Sequence, residues 1–149
     1  MSIIKVFRAQ SKDLGDAAVI FNSYRIFYGN KSDLKLAFHF LKERLEFQES
    51  YIFLSKMDGE IVGFVQHYPF FSSVRAERLL VLNDLFVSPE ARCKGVATAL
   101  IRESINFARA ESCSGLLIET TDDNKTAQAL YKKIGWKKEV GIKHYYFDL

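Results

Sequence analysis

The stretch Leu82–Ala99, LNDLFVSPEARCKGVATA, decides how this 149-residue chain is read. An apolar strand carrying Asn83 and Asp84 runs through Leu85, Phe86 and Val87 and stops at Ser88-Pro89. A short basic loop holding Arg92, Cys93, Lys94 and Gly95 follows, and a helix begins at once through Val96, Ala97 and Thr98. A helix start presents backbone N–H groups without intrahelical partners and a partial positive charge, so this junction suits a phosphate or pyrophosphate. Gly95 admits a ligand close to the backbone, and Ala97 keeps the first turn small. Arg92 and Lys94 add positive charge. The plain alternative is a tight strand-to-helix turn with solvated basic residues. Neither GxxxxGK[ST] nor GxGxxG occurs, so this is not a Walker loop or a dinucleotide fingerprint.

Outward from this junction, Glu77–Val87 is more apolar than an exposed strand should be, which predicts a central one. Tyr51–Met57 and Glu60–Phe71 flank Asp58-Gly59, a dipeptide suited to a type I′ hairpin turn. Ile3–Ala9 reads as a first strand. Leu14, Ala17, Ala18, Phe21, Tyr24 and Tyr28 then take helical spacing, with Asp13 as N-cap. A second helix carries Leu34, Ala37, Phe38, Leu41 and Leu45 on one face, with Ser32 as its cap. Past the junction, Leu100, Ile101, Ile105 and Ala108 continue the helix, and Gly115–Thr121 reads as a buried strand. Ala127, Leu130, Tyr131 and Ile134 mark a last helix. Trp136–Val140 and His144–Leu149 are expected to close the fold as an antiparallel pair. This order predicts an α/β chain with a mixed sheet and helices on both faces. No linker or repeat divides it, so residues 1–149 are expected to form a single domain.

Composition narrows the function classes. Hydrophobic residues make up 48% and charged residues 26%, which excludes a disordered or fibrous chain. Lys and Arg number 21 against 18 acids; the net +3 suits an anionic ligand but is too small to argue for nucleic acid. Cys93 and Cys113 cannot make a disulfide framework, which fits a reducing, cytoplasmic setting. The longest apolar stretch, Ala17–Phe21, falls far short of the roughly 18 residues of a membrane helix. Lys5 and Arg8 interrupt any signal-peptide layout. No membrane or nucleic-acid partner is expected. His39, His67 and His144 lack zinc-site spacing, so no metal is expected either, and the absence of GxSxG leaves a serine hydrolase unsupported.

Arg92, Gly95 and Ala97 match the R-x-x-G-x-[G/A] signature that follows the central strand in the GNAT superfamily of acyl-CoA-dependent N-acetyltransferases. The segment from Asn124 to Trp136, NKTAQALYKKIGW, resembles that family's N…A…LY…GF/W segment. The order of elements resembles the family fold along nearly the whole chain. It implies a three-layer fold with a mixed, mostly antiparallel sheet of about seven strands. Gly63-Phe64, Tyr68-Pro69-Phe70-Phe71 and Asn83–Val87 are most similar to diamine (spermidine/spermine) and related small-amine acetyltransferases. Fungal histone and D-amino-acid acetyltransferases share a similar layout.

The resemblance implies roles for individual residues. Leu85, Phe86 and Val87 border the pantetheine arm of acetyl-CoA, with backbone groups of Leu85 and Val87 pairing with it. Arg92 and the amides of Cys93, Lys94, Gly95, Val96, Ala97 and Thr98 hold the pyrophosphate. Asn124 hydrogen-bonds the pantetheine, and Tyr131 stands near the thioester sulfur. The chemistry needs such parts: the amine must be neutral to attack, the carbonyl oxygen turns negative, and a thiolate leaves. A backbone N–H near Leu85 can stabilise the oxyanion, and a tyrosine, with a reference pKa of about 10, can protonate the thiolate. Read alone, Tyr131 is a core aromatic and Asn124 a helix cap. Lys132 and Lys133 could meet the 3′-phosphate or lie solvated.

One departure concerns the base. Diamine acetyltransferases carry a Glu-Asp pair in the central strand, and here Asn83 stands at the Glu position with Asp84 kept. Either Asp84 takes the base role through water, with burial raising its proton affinity, or the amine arrives neutral. Alternatively, Asn83 and Asp84 satisfy backbone groups at a bulge. Tyr24, Arg25 and Tyr28 border the acceptor site in this fold, and Arg25 could grip a carboxylate. The expected function is acetyl transfer from acetyl-CoA to a primary amine of a small molecule such as a polyamine or amino acid. The alternatives are a CoA-binding sensor or scaffold without turnover, and a protein lysine acetyltransferase. A homodimer is the expected assembly.

Overall fold

The structure, a computed structural model, describes residues 2–149. They separate into two compact units, one reaching to Glu119 and the other spanning Thr120–Leu149. The first unit holds β1 (Ile4–Arg8), α1 (Leu14–Phe27), α2 (Leu34–Glu46), β2 (Tyr51–Met57), β3 (Glu60–Ser72), β4 (Glu77–Val87), α3 (Val96–Ala110) and β5 (Gly115–Ile118). The five strands lie in sequence order. All neighbours are antiparallel except β4 and β5, which run parallel and are joined through α3. Asp58 and Gly59, at φ 53° and 89°, both take the left-handed conformation a type I′ turn requires.

Helices cover both faces of this sheet. On one, Leu14, Ala17 and Phe21 of α1 and Ala37 and Leu41 of α2 enclose Leu54, Phe64 and Phe86. On the other, α3 lies unusually close to β3. A Cβ at Gly63 would come within 2.9 Å of both Val96 Cγ1 and Leu100 Cδ1, and would collide with Ser55 Oγ. Gly63 therefore sets the depth at which α3, and with it the β4–α3 junction, sits on the sheet.

The register of β4 against β3 breaks at one bulge. Gln66 pairs with Asp84 and His67 with Leu82, which leaves Asn83 as an extra residue opposite no one. Such a bulge changes which face the strand presents. Phe86 and Asp84 lie opposite Phe64 and Gln66 on the α1 face, whereas Leu82 lies opposite His67 on the α3 face.

Two expected caps change hands. Asp33, not Ser32, caps α2, its Oδ1 accepting from Leu36 N at 2.9 Å. Ser32 Oγ instead accepts from Asn22 Nδ2 of α1, because the buried Asn22 needs partners in the interhelical loop. Asp13 occupies the N-cap position of α1, but its carboxylate accepts from Gln10 N, closing the short turn Ser11–Asp13.

The second unit holds α4 (Lys125–Ile134), which ends at Gly135 with φ 113° and hydrogen bonds from Gly135 N and Trp136 N to Tyr131 O. The closing pair Trp136–Val140 and His144–Leu149 is not formed, so the described residues contain five strands rather than about seven. Both segments have strand-like composition, but a strand needs a ladder partner for its backbone and a surface for its apolar side chains. Val140, Tyr145, Tyr146 and Phe147 are all more than four-fifths exposed, and Gly141, at φ 88°, interrupts the extended run. Among the described residues no helix is long and apolar enough to cross a membrane.

Candidate active site

The bulge places a single carboxylate inside the first unit. Asp84 is 6% exposed and is the one buried carboxylate among the described residues. Its Oδ2 accepts from Gln66 Nε2 at 2.8 Å, and its Oδ1 accepts from Asn83 Nδ2 at 3.1 Å. Gln66 is itself fully buried, and its Oε1 accepts from Ser50 Oγ at 2.8 Å. Burial pushes the Asp84 carboxyl above the ordinary range, while its hydrogen bonds with Gln66, Tyr24 and Asn83 pull the other way. The result is a carboxylate with raised proton affinity whose partners still suit its ionised form.

Two phenols border it. Burial, reinforced by the Asp84 charge, drives the Tyr24 hydroxyl well above its usual value. Tyr68 is pushed up to about 12, again chiefly by burial and then by Asp84. Both stay protonated at neutral pH and can act as donors. Tyr24 meets Phe86 edge-on at 6.0 Å and Tyr28 at 5.0 Å. Tyr28 is exposed. Arg25 has a buried Nη1 without a hydrogen-bond partner, the one expected acceptor-side residue that carries an unmet donor.

The strand beyond the bulge is open on one edge. Pairing of β4 with β5 ends at Leu82 and Ile118, although β4 continues to Val87. Ser88 N donates to Val62 O of β3, so by the two-residue period Phe86 also addresses β3, while the backbone groups of Leu85 and Val87 face the unpaired edge. An extended ligand could add there as a strand. The Phe86 side chain is buried against α1, leaving only its backbone near that edge.

At the end of β4, Pro89–Ala91 forms a single turn, Cys93 adopts φ 59°, and Gly95 adopts φ 88° as the N-cap of α3. No side chain caps α3, so the first-turn amides of Val96, Ala97 and Thr98 remain available to an anion. The space around Gly95 is open; its left-handed backbone, rather than close packing, demands glycine. Cys93 is exposed in the same loop. Arg92 is not directed purely outward. Its guanidinium lies over Phe27 at 5.2 Å and Phe86 at 5.9 Å, and its Nε donates to Val87 O at 3.1 Å. It therefore ties the loop to the strand as well as adding charge. Lys94 is exposed. An uncapped helix start, a glycine-permitted turn and an open strand edge in succession fit the pyrophosphate and pantetheine of acetyl-CoA.

In the second unit, Asn124 Oδ1 accepts from Ala127 N at 3.2 Å and so caps α4. Tyr131 is half-buried, with its ring 6.1 Å from Trp136. Among the described residues no group of three or more His, Cys, Asp or Glu could hold a metal ion. Ser50 and Gln66 go unnamed at the level of sequence, where Tyr68 has no role at the site. The signal for Gln66 was a polar residue interrupting the apolar alternation of Val62 and Phe64 in β3.

Comparison with known proteins identifies the family. The model of the acetyltransferase (GNAT) family matches residues 18–136. The chain is 40% identical over 142 residues to the uncharacterized N-acetyltransferase YhfO of Bacillus subtilis, covering 95% of each. A crystal structure of a probable acetyltransferase superposes with a TM-score of 0.91 at 34% identity, covering 97% of both chains. An aminoglycoside N-acetyltransferase solved in complex with CoA shares the fold at a TM-score of 0.82 and 18% identity, covering 100% of this chain and 97% of that one. With an uncapped helix start beside an open strand edge and a family match over most of its length, the chain belongs to the GNAT family of N-acetyltransferases.

Proposed function

We propose that residues 1–149 act as one catalytic domain that transfers an acetyl group from acetyl-CoA to the primary amine of a small molecule, with Asp84 as the base. The observation that carries this reading is the Asp84 carboxylate, buried at the β4 bulge just before the open edge at Leu85. A polyamine or an amino acid is the acceptor class in view. The first is favoured by resemblance to the diamine acetyltransferases, the second by the unmet Nη1 of Arg25. Use of acetyl-CoA is supported by the family and by the CoA complex of the aminoglycoside enzyme.

Acetyl-CoA supplies the acetyl group as a thioester. The open edge of Leu85 and Val87 and the α3 start, from Cys93 to Thr98 with Arg92, hold the donor; Asn124 is assigned to the pantetheine. The neutral amine nitrogen forms a bond to the acetyl carbon, and the carbon–sulfur bond breaks. Asp84 takes the amine's proton, directly or through water, and Asn83 steadies Asp84 Oδ1. The Leu85 N–H stabilises the oxygen as it becomes negative. Tyr131 is assigned the proton that the departing sulfur receives. Tyr24 and Tyr28 form the acceptor wall, where a cationic amine would meet aromatic faces. A cytoplasmic setting suits the free thiols of Cys93 and Cys113, and a homodimer is part of the same reading.

Thiol release from acetyl-CoA, measured against a panel of polyamines, amino acids and lysine peptides, tests the reading. Turnover with at least one small amine is expected. Turnover on lysine peptides alone, or none on any amine, would overturn it.

A further inference from the structure

Gln66 is fully buried on β3, between Phe64 and Tyr68 on the same face of the strand. A buried amide must satisfy both ends, and the two ends of Gln66 meet different partners. Ser50 Oγ donates to Oε1, and Nε2 donates to Asp84 Oδ2, both at 2.8 Å. A flipped amide would set Oε1 against a carboxylate oxygen, two acceptors face to face. The carboxylate, which can only accept, therefore fixes which end of the amide it meets, and Ser50, itself 4% exposed, satisfies the other end by donating to Oε1. The bulge at Asn83 is what brings Asp84 opposite Gln66 rather than out of register with it.

We propose that Gln66, anchored by Ser50, is a positioning residue for acetyl transfer: it holds the Asp84 carboxylate in its ionised, proton-accepting form. This rests on the reading of Asp84 as the base. The amide gives Asp84 a hydrogen bond that favours the anion without adding a charge, in a place where burial raises the carboxyl's affinity for a proton. It also fixes the plane of the carboxylate, which the phenols of Tyr24 and Tyr68 face as well, so that the oxygen lone pairs not engaged by Gln66, Asn83 and Tyr24 are the ones left to receive a proton.

The test uses the full chain and two variants, Gln66→Met and Ser50→Ala. Two quantities are followed: the Asp84 carboxyl titration by carbon-13 NMR, and the acid limb of kcat/KM for thiol release with spermidine, or with whichever amine of the panel turns over. Gln66→Met should move the Asp84 midpoint and the acid limb together to higher pH by about one unit, the scale of one hydrogen bond to a charged group. Ser50→Ala should move both in the same direction by less. A uniform loss of kcat/KM at every pH, with the midpoint unmoved, would make Gln66 structural only and overturn the proposal. If Gln66→Met fails to fold, Ser50→Ala decides by the same criterion. Asp84→Asn separates the two readings. If it leaves the acid limb intact, Asp84 is not the base; if it removes the limb while neither other variant shifts it, the Gln66 role alone fails.

Discussion

Asp84 combines two properties that seldom meet in one carboxylate: burial that raises its affinity for a proton, and donors placed to accept its charge. A base needs the first to take a proton and the second to be free of one beforehand. Asp84→Asn keeps the shape and removes the basicity, so turnover should fall by about 10²–10⁴-fold at low pH. The remaining rate then depends on the neutral fraction of the amine, which rises tenfold per pH unit below the amine's pKa; alkaline pH should partly rescue the variant. A rate-against-pH profile of both proteins checks this. Tyr131→Phe should behave differently. It keeps the ring against Trp136 and removes only the hydroxyl, so CoA affinity should persist while the rate falls, and an unchanged rate across pH would remove its acid role. Asp84 and Asn83 could be singled out from sequence because the resemblance to the diamine acetyltransferases places a Glu-Asp pair at these positions. Gln66 could not be tied to them. Its partnership depends on a one-residue bulge in the pairing, and no local pattern announces the register between two strands.

The α3 start and the turn before it form one device at the scale of elements. Arg92 ties the turn back to Val87, Gly63 lets α3 press onto β3, and Gly95 supplies the left-handed residue that releases the first-turn amides. Acetyl-CoA bound there should stabilise the fold by roughly 2.7 kcal/mol at one hundred times its dissociation constant. Gly95→Glu should abolish the thermal shift, through a strained backbone and a negative charge in the cradle. A thermal-shift series with millimolar acetyl-CoA reads it, and no shift in the parent protein would remove the donor site. Exposed Cys93 offers a second measure, since bound CoA should slow its alkylation; equal rates with and without CoA would place it outside the site. These elements were legible because helix, strand and hairpin signals are local: the Asp58-Gly59 turn and the limits of β2 and β4 fall where periodicity and turn residues put them. The closing pair was not. Trp136–Val140 and His144–Leu149 have suitable residues, but whether such segments pair is decided by partners that composition does not specify.

Across the whole first unit, the bulge sets two buried polar networks back to back. Gln66 faces α1 and joins Asp84; its neighbour His67 faces α3, with Nδ1 3.1 Å from Tyr51 O and Nε2 2.7 Å from Ser104 Oγ. Phe53 meets the imidazole edge-on at 5.7 Å, and Phe107 lies at 6.4 Å. No carboxylate is among these neighbours, so a charge on the ring would go unpaired. Burial accordingly lowers the His67 pKa to about 4, against which the Tyr51 carbonyl pulls only partly upward. The imidazole is therefore neutral in the fold across a range where the unfolded chain protonates it. Below pH 6.5 the unfolded state binds a proton that the native state refuses, so stability falls as pH drops from 6.5 to about 4 and levels off below that. At about 1.4 kcal/mol per pH unit the loss is on the order of 3 kcal/mol. Asp84 acts with the opposite sign, because its raised proton affinity favours the folded state once acid protonates it. The two are separable by substitution. Denaturant unfolding at pH 7 and pH 4.5 should show His67→Gln losing most of the acid sensitivity of the parent, and Asp84→Asn increasing it. If His67→Gln retains the parent's slope, the imidazole is already charged in the folded protein, and α3 is held to the sheet by a different arrangement of protons from the one its surroundings favour.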